Sequence, residues 1–177
     1  MFVKTIVLIE CGACLGSFAW GMARHFHRPA KPSRSTALTG AIATACGVLQ
    51  VIGLCTHQSN HPWAAMPLFA ISLALFWWAV RVTRHCLAAC GTGQHSQRIV
   101  RSGPYAWIRH PFYTSYNLAW VAGFMATRWW PLAPSTLVMA CIYDYFACQE
   151  ESAYLRGDLA AAYRRYRLRT GKYLPRL

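Results

Sequence analysis

Three groups of side chains in this sequence have the types and spacing to do chemistry. The first is the run Gly103-Pro104-Tyr105-Ala106-Trp107-Ile108-Arg109-His110-Pro111-Phe112-Tyr113-Thr114-Ser115-Tyr116. In it an arginine, a histidine and several tyrosines stand directly against an apolar stretch. The second is the adjacent pair Glu150-Glu151, which ends the next apolar stretch; the third is Asp144, inside that stretch. Ionisable groups at the end of or within a bilayer-depth segment are costly to keep, so such groups usually mark a site. A short hairpin between the two stretches would bring the Arg-His run and the glutamates to one membrane face. Asp144 lies seven residues before Glu151, and two helical turns put both on one face, whereas Glu150 is turned from it by about 100°.

The elements that must position these groups are apolar helices. The chain is 55% hydrophobic and 13% charged, with a mean hydropathy of +0.22, a composition of the membrane class. Five apolar segments stand out, at about 2–23, 37–56, 63–82, 112–127 and 131–148, each near the ~20 residues a spanning helix needs. The last two are short and separated only by Arg128-Trp129-Trp130. That spacing predicts a tight helical hairpin with tryptophans at the far interface. Glu10 interrupts the first run and its apolar character continues to Met22, so the segment reads as a retained helix rather than a cleaved signal. The expected fold is an all-α integral membrane protein of about five transmembrane helices. One domain covers residues 1–177: three amino-terminal helices over 1–82, then a cofactor-binding loop, the hairpin and a carboxy-terminal helix over 83–177.

Charge orients the bundle. Of the 18 Lys and Arg, all but Lys4 and Arg128 fall in the connection between segments one and two, in the stretch after segment three, or in the tail. The positive-inside rule then puts the amino terminus outside and the carboxy terminus, with both halves of the candidate site, in the cytoplasm. The net charge of +13 comes in short blocks between apolar runs, which fits topology and not nucleic-acid binding. In the tail, Tyr154, Leu155, Leu159, Tyr163 and Tyr166 recur at helical spacing with arginines between them. This predicts an amphipathic helix on the inner leaflet that closes the site from below. Gly12 and Gly16 form a Gly-x-x-x-Gly ridge, and Ala41 and Ala45 a second ridge of small residues. Such ridges suit close packing within the monomer, or a homodimer through Gly12 and Gly16.

The remaining polar motifs carry less. Cys11-x-x-Cys14 lies inside an apolar helix, where neither metal binding nor thiol exchange is served. His85, Cys86, Cys90 and His95 lack a Cys-x-x-Cys knuckle, so no metal is expected and the cysteines read as small packing side chains. Gly91-Thr92-Gly93 lacks the strand, the third glycine and the lysine of a phosphate loop.

The run from Ser102 to Tyr113, followed by Glu150-Glu151, Leu155, Tyr163-x-x-Tyr166 and Pro175, resembles the isoprenylcysteine carboxyl methyltransferase family, which is grouped with the phospholipid N-methyltransferases. The resemblance covers about residues 97–175. It implies an S-adenosylmethionine-dependent membrane methyltransferase, acting on a lipophilic acceptor that enters sideways from the bilayer. By that resemblance Ile99, Val100, Gly103, Tyr105, His110 and Pro111 line the cofactor pocket, with Gln97 where the family often has histidine. Glu150 and Glu151 meet the cofactor's hydroxyls or amino group. Arg109 and Glu150 would be the catalytic groups, and Tyr113, with Tyr116 behind it, would sit between cofactor and bilayer on the acceptor side. From residue type alone, Arg109 could hold an anionic acceptor or offset the paired glutamates, which otherwise repel, and Asp144 could face the acceptor or serve as a structural hydrogen-bonding group. Methyl transfer from a sulfonium is an in-line displacement for which the protein supplies alignment and a water-poor pocket. The residues before the glutamates, Phe146-Ala147-Cys148-Gln149, lack the positive charge expected for a prenylcysteine carboxylate. The acceptor is therefore left open among a prenylated thioether acid, a lipid amine, and a small hydrophobic thiol or phenol. Membrane sterol reductases share a similar Arg-His-Pro-x-Tyr pattern with NADPH, but are usually longer. A non-catalytic module whose arginines bind acidic lipids is the other class weighed.

Overall fold

The computed structural model describes residues 2–25, 34–57, 62–89 and 99–176. Gln97, Cys90, His95 and the Gly91-Thr92-Gly93 turn lie outside them. The described chain is helical: α1 Phe2–Trp20, α2 Arg34–Thr56, α3 Ala65–Ala89, α4 Pro111–Thr127, α5 Leu132–Arg156 and α6 Ala160–Arg169. The only strand-like pairing among the described residues is one parallel bridge, Ile108 to Gly171. The segments Phe2–Arg24, Ala37–Thr56 and Ala65–Arg84 are long and apolar enough to cross a membrane. The two helices of the α4–α5 hairpin, both short as apolar segments, differ in length as helices. At 17 residues α4 is about 25 Å long, short of a ~30 Å hydrocarbon core. By contrast α5 runs eight residues beyond the apolar segment read from the sequence, to Arg156.

α3 is the central helix. Ala65, Phe69, Phe76 and Ala79 are fully buried along it, packed against α4 and α1. Polar groups inside the bundle pair across helices, as an apolar surround requires. Ser72 Oγ donates to the Ser115 carbonyl at 2.7 Å. Gln50, 1% exposed, donates from Nε2 to the Ala119 carbonyl at 3.2 Å and to Cys11 Sγ at 3.5 Å. Gly123 makes room for that amide, since a Cβ there would stand 2.4 Å from Gln50 Cδ. Cys11 and Cys14 are buried free thiols against this layer, and Cys14 Sγ points at the Phe69 carbonyl, 3.6 Å away. They pack, as expected of small apolar side chains.

The glycine ridge corrects the sequence reading. A Cβ at Gly12 or Gly16 would meet nothing within 4 Å, and Ala41 and Ala45 are exposed. Among the described residues neither ridge packs the monomer; α1 instead presents Val7, Cys11 and Cys14 to its neighbours.

The tail also differs from a single helix lying flat. Gly157, in extended conformation, ends α5, and α6 turns back along it. Tyr154 stacks on Tyr163 with ring centroids 4.9 Å apart. Arg167 Nε lies 3.5 Å from Glu151, and Lys172 reaches Asp144. As the chain advances along α6 and the tail, its partners recede along α5, so the two run antiparallel. The tyrosine face is spent on this packing: Tyr163 is 3% exposed and Tyr166 7%.

Candidate active site

The Arg-His run is bent into place by local chemistry. Gly103 has φ +59°, and a Cβ there would lie 2.5 Å from Val82 Cγ2 on α3. Both facts require glycine, because an L side chain pays for positive φ and has no space here. Pro104 follows, opening the 3-10 turn Gly103–Ala106. Pro111 then starts α4 at the one position where its missing N–H costs nothing, with His110 as the residue before it.

The tail clasps this run. The N–H of Arg109 donates to the Gly171 carbonyl at 2.8 Å, that of His110 to the Lys172 carbonyl at 3.2 Å, and that of Gly171 to the Trp107 carbonyl at 3.2 Å. Thr114 Oγ1 donates to the Tyr173 carbonyl at 3.1 Å, and Tyr166 Oη to the Tyr105 carbonyl at 2.6 Å. Gly171 is forced by space, since a Cβ would fall 1.7 Å from the Leu174 carbonyl oxygen.

The two glutamates do different things. Glu151 is buried and gathers nitrogen groups: Arg109 Nε donates to its Oε1 at 2.8 Å, His110 Nε2 lies 3.1 Å from the same oxygen, and Arg167 Nε is 3.5 Å from Oε2. Burial pushes its carboxyl up, but the hydrogen bonds from Arg109 and His110 outweigh that and hold it below the ordinary range. Glu150 points the other way. Tyr113 Oη donates to its Oε1 at 2.5 Å, and His110 Nδ1 stands 3.6 Å from Oε2. Its side chain is 53% exposed, yet the carboxyl end sits against Tyr113 and His110. Burial there pushes it above the ordinary range, further helped by the Glu151 charge and opposed by the Tyr113 hydrogen bond.

His110 thus lies between the pair. Burial lowers its pKa, against the Glu151 hydrogen bond and charge, which raise it. Of its two ring nitrogens, Nε2 is within hydrogen-bond distance of a carboxylate, at 3.1 Å from Glu151, while Nδ1 stands further off, 3.6 Å from Glu150.

Of the residues expected at the site, Arg109, His110, Tyr113, Glu150 and Glu151 come together in one cluster. Arg109 spends its fork on protein: besides Glu151, its Nη1 donates to the carbonyls of Thr170 and, at 3.4 Å, Arg167. Tyr105 is half-buried beside the cluster, its phenol raised by burial and by the Glu150 charge. Ile99 and Val100 are partly exposed at the start of the loop, and Pro111 is buried. Tyr116 sits deeper, with its ring 4.6 Å from Phe18 and 5.3 Å from Tyr143, and its hydroxyl makes no hydrogen bond among the described residues. Asp144 is two turns up α5, held by Lys172 and by Tyr173 Oη at 2.9 Å. The sequence reading passed over Arg167, Thr170, Gly171, Lys172 and Tyr173. The one signal for them was Thr170-Gly171, a helix-stop pair ahead of a tyrosine.

The family description "phospholipid methyltransferase" matches residues 60–158, from the turn before α3 to the end of α5. No curated protein and no solved structure matches the chain.

Proposed function

The chain belongs to the phospholipid methyltransferase family, and from that premise we propose that it transfers a methyl group from S-adenosylmethionine to a lipophilic acceptor at the cytoplasmic face of a membrane. The observation that carries this reading is the asymmetry of the glutamates. Glu151 is consumed by Arg109, His110 and Arg167, whereas Glu150 offers a half-exposed carboxylate beside Tyr113 and His110. A carboxylate among aromatic rings fits a cationic ligand, by charge and by the attraction of cations to ring faces. A sulfonium donor is such a cation, and its chemistry would be the supply of an electrophilic methyl group.

The residues then divide the work. Glu150 holds the donor's positive end, with Tyr113 orienting its carboxyl from the bilayer side. His110 keeps the two carboxylates apart and, being neutral, adds no positive charge to repel a cation. Arg109 and Glu151 lock the loop to α5 and to the tail, so that the groups bordering the donor stay in one geometry. Ile99, Val100 and Tyr105 provide the partly apolar wall that keeps water away from the displacement. Tyr113 would face the approach from the apolar bundle, where a lipid acceptor would arrive, with the buried Tyr116 packed behind it. The acceptor atom remains among oxygen, nitrogen and sulfur. Orientation with the carboxy terminus inside follows from the distribution of arginines.

Titration of S-adenosylhomocysteine and of NADPH against detergent-purified protein tests the reading. Saturable binding of the first, with none of the second, is the expected result. Binding of NADPH alone would replace this function with a reductase's.

A further inference from the structure

We infer that Asp144 is a positioning residue for the site, which fastens the Lys172–Tyr173 end of the tail so that this stretch can hold His110 and Thr114. The inference rests on the proposed methyltransferase function for its consequence, but not for its geometry.

Both oxygens of Asp144 are taken by protein groups. Oδ1 accepts from Lys172 Nζ and, at 2.9 Å, from Tyr173 Oη; Oδ2 lies 3.6 Å from Cys148 Sγ. Oδ1 is thus committed to the tail, and Oδ2 has a weak thiol donor beside it. Its two main partners are the residues whose carbonyls face the site: Lys172 O accepts from the His110 N–H at 3.2 Å, and Tyr173 O accepts from Thr114 Oγ1 at 3.1 Å. The Tyr173 ring also lies 6.1 Å from the His110 ring. Asp144 therefore reaches His110 through two side chains and the main chain that carries them.

The need for a fastener follows from the tail itself. After Arg169 the chain leaves helical structure, so its backbone loses the helix's own hydrogen bonds and depends on contacts with other segments. An exposed ion pair is worth little by itself, and Asp144 is 52% exposed. The Tyr173 hydroxyl adds a hydrogen bond to a charged acceptor, a stronger class of contact. Lys172 and Tyr173 also lie outside the residues that the family description matches, so the fastening joins the matched region to the tail.

The test uses the full chain in detergent with two readouts: hydrogen exchange of the amides at 108–114, and S-adenosylhomocysteine affinity. Asp144→Ala should speed exchange of the Arg109 and His110 amides and weaken S-adenosylhomocysteine, each by about tenfold. Asp144→Glu should recover most of both, and Tyr173→Phe should show a smaller effect of the same sign. Should Asp144→Ala fail to fold, Tyr173→Phe and Lys172→Met carry the same exchange test. Wild-type exchange in the variants overturns the inference. So does loss of labelled methyl transfer with exchange and affinity unchanged, which would place Asp144 against the acceptor. If the wild-type protein binds no S-adenosylhomocysteine, the proposed function falls, and the exchange readout still decides the fastening.

Discussion

Adjacent isosteric substitutions at 150 and 151 should have opposite signatures. In Glu151→Gln the carboxylate that Arg109 and His110 share is replaced by a neutral amide of nearly the same shape. Arg109 and Glu151 have side chains only 10% exposed, so the guanidinium left behind is largely out of solvent. Removing one partner of such a pair costs about 3 kcal/mol or more, because the other charge stays buried and unpaired. For a chain of this size that is a drop of roughly 6–12 °C in Tm. In Glu150→Gln the side chain is half exposed and its one close hydrogen bond is with Tyr113, so stability should change by no more than ~0.5 kcal/mol. Affinity for S-adenosylhomocysteine, which lacks the sulfonium charge but keeps the amino group, should still fall several-fold, and affinity for S-adenosylmethionine should fall further. Thermal denaturation in detergent and calorimetric titration of both ligands read the two effects separately. The assignment is refuted if Glu151→Gln melts with the wild type, or if Glu150→Gln binds both ligands normally.

Three other outcomes follow from the same contacts. Gly171→Ala should abolish ligand binding while leaving helix content by circular dichroism almost unchanged, since a Cβ there strikes the Leu174 carbonyl and lifts the clasp from Arg109 and His110. Acid should weaken the fold in two stages, seen as a fall in Tm. His110 is held below its ordinary 6.5, so the unfolded chain takes up the proton first, and stability present above about 6.5 declines below it. Glu151 is held below 4.5, so its share is present above 4.5 and is lost as pH falls through its folded value; His110→Asn should remove the upper stage and shrink the lower one, since His110 supplies one of the contacts that hold Glu151 down. A reporter fused after Leu177 should be cytoplasmic and one inserted at Asn60 external, and the reverse would move the site to the other face.

Much of the site was legible because its two halves are each local. The residue run from Gly103 to Tyr113 carries its own turn chemistry in Gly103, Pro104 and Pro111, and two turns of one helix relate Asp144 to Glu151. The hairpin of α4 and α5 follows from apolar length and from the short Arg128-Trp129-Trp130 link. What the sequence hid is contact between distant segments. The pairing of Ile108 with Gly171 leaves no periodicity, and Tyr163 and Tyr166 look the same whether their helix face rests on lipid or on protein. The sequence leaves Arg109 open between an anionic acceptor and the paired glutamates, and nothing local shows that Glu151 and the Thr170 and Arg167 carbonyls occupy its guanidinium. The Gly12 and Gly16 ridge was read as packing because spacing alone does not tell which face of α1 meets the bundle.

Incubation of the purified protein with methyl-labelled S-adenosylmethionine and a total lipid extract tests the central claim most directly. Label appearing in an organic-soluble product, strongly reduced in Glu150→Gln, is the predicted result. Absence of any transferred label, with the protein folded and NADPH bound instead, would contradict it.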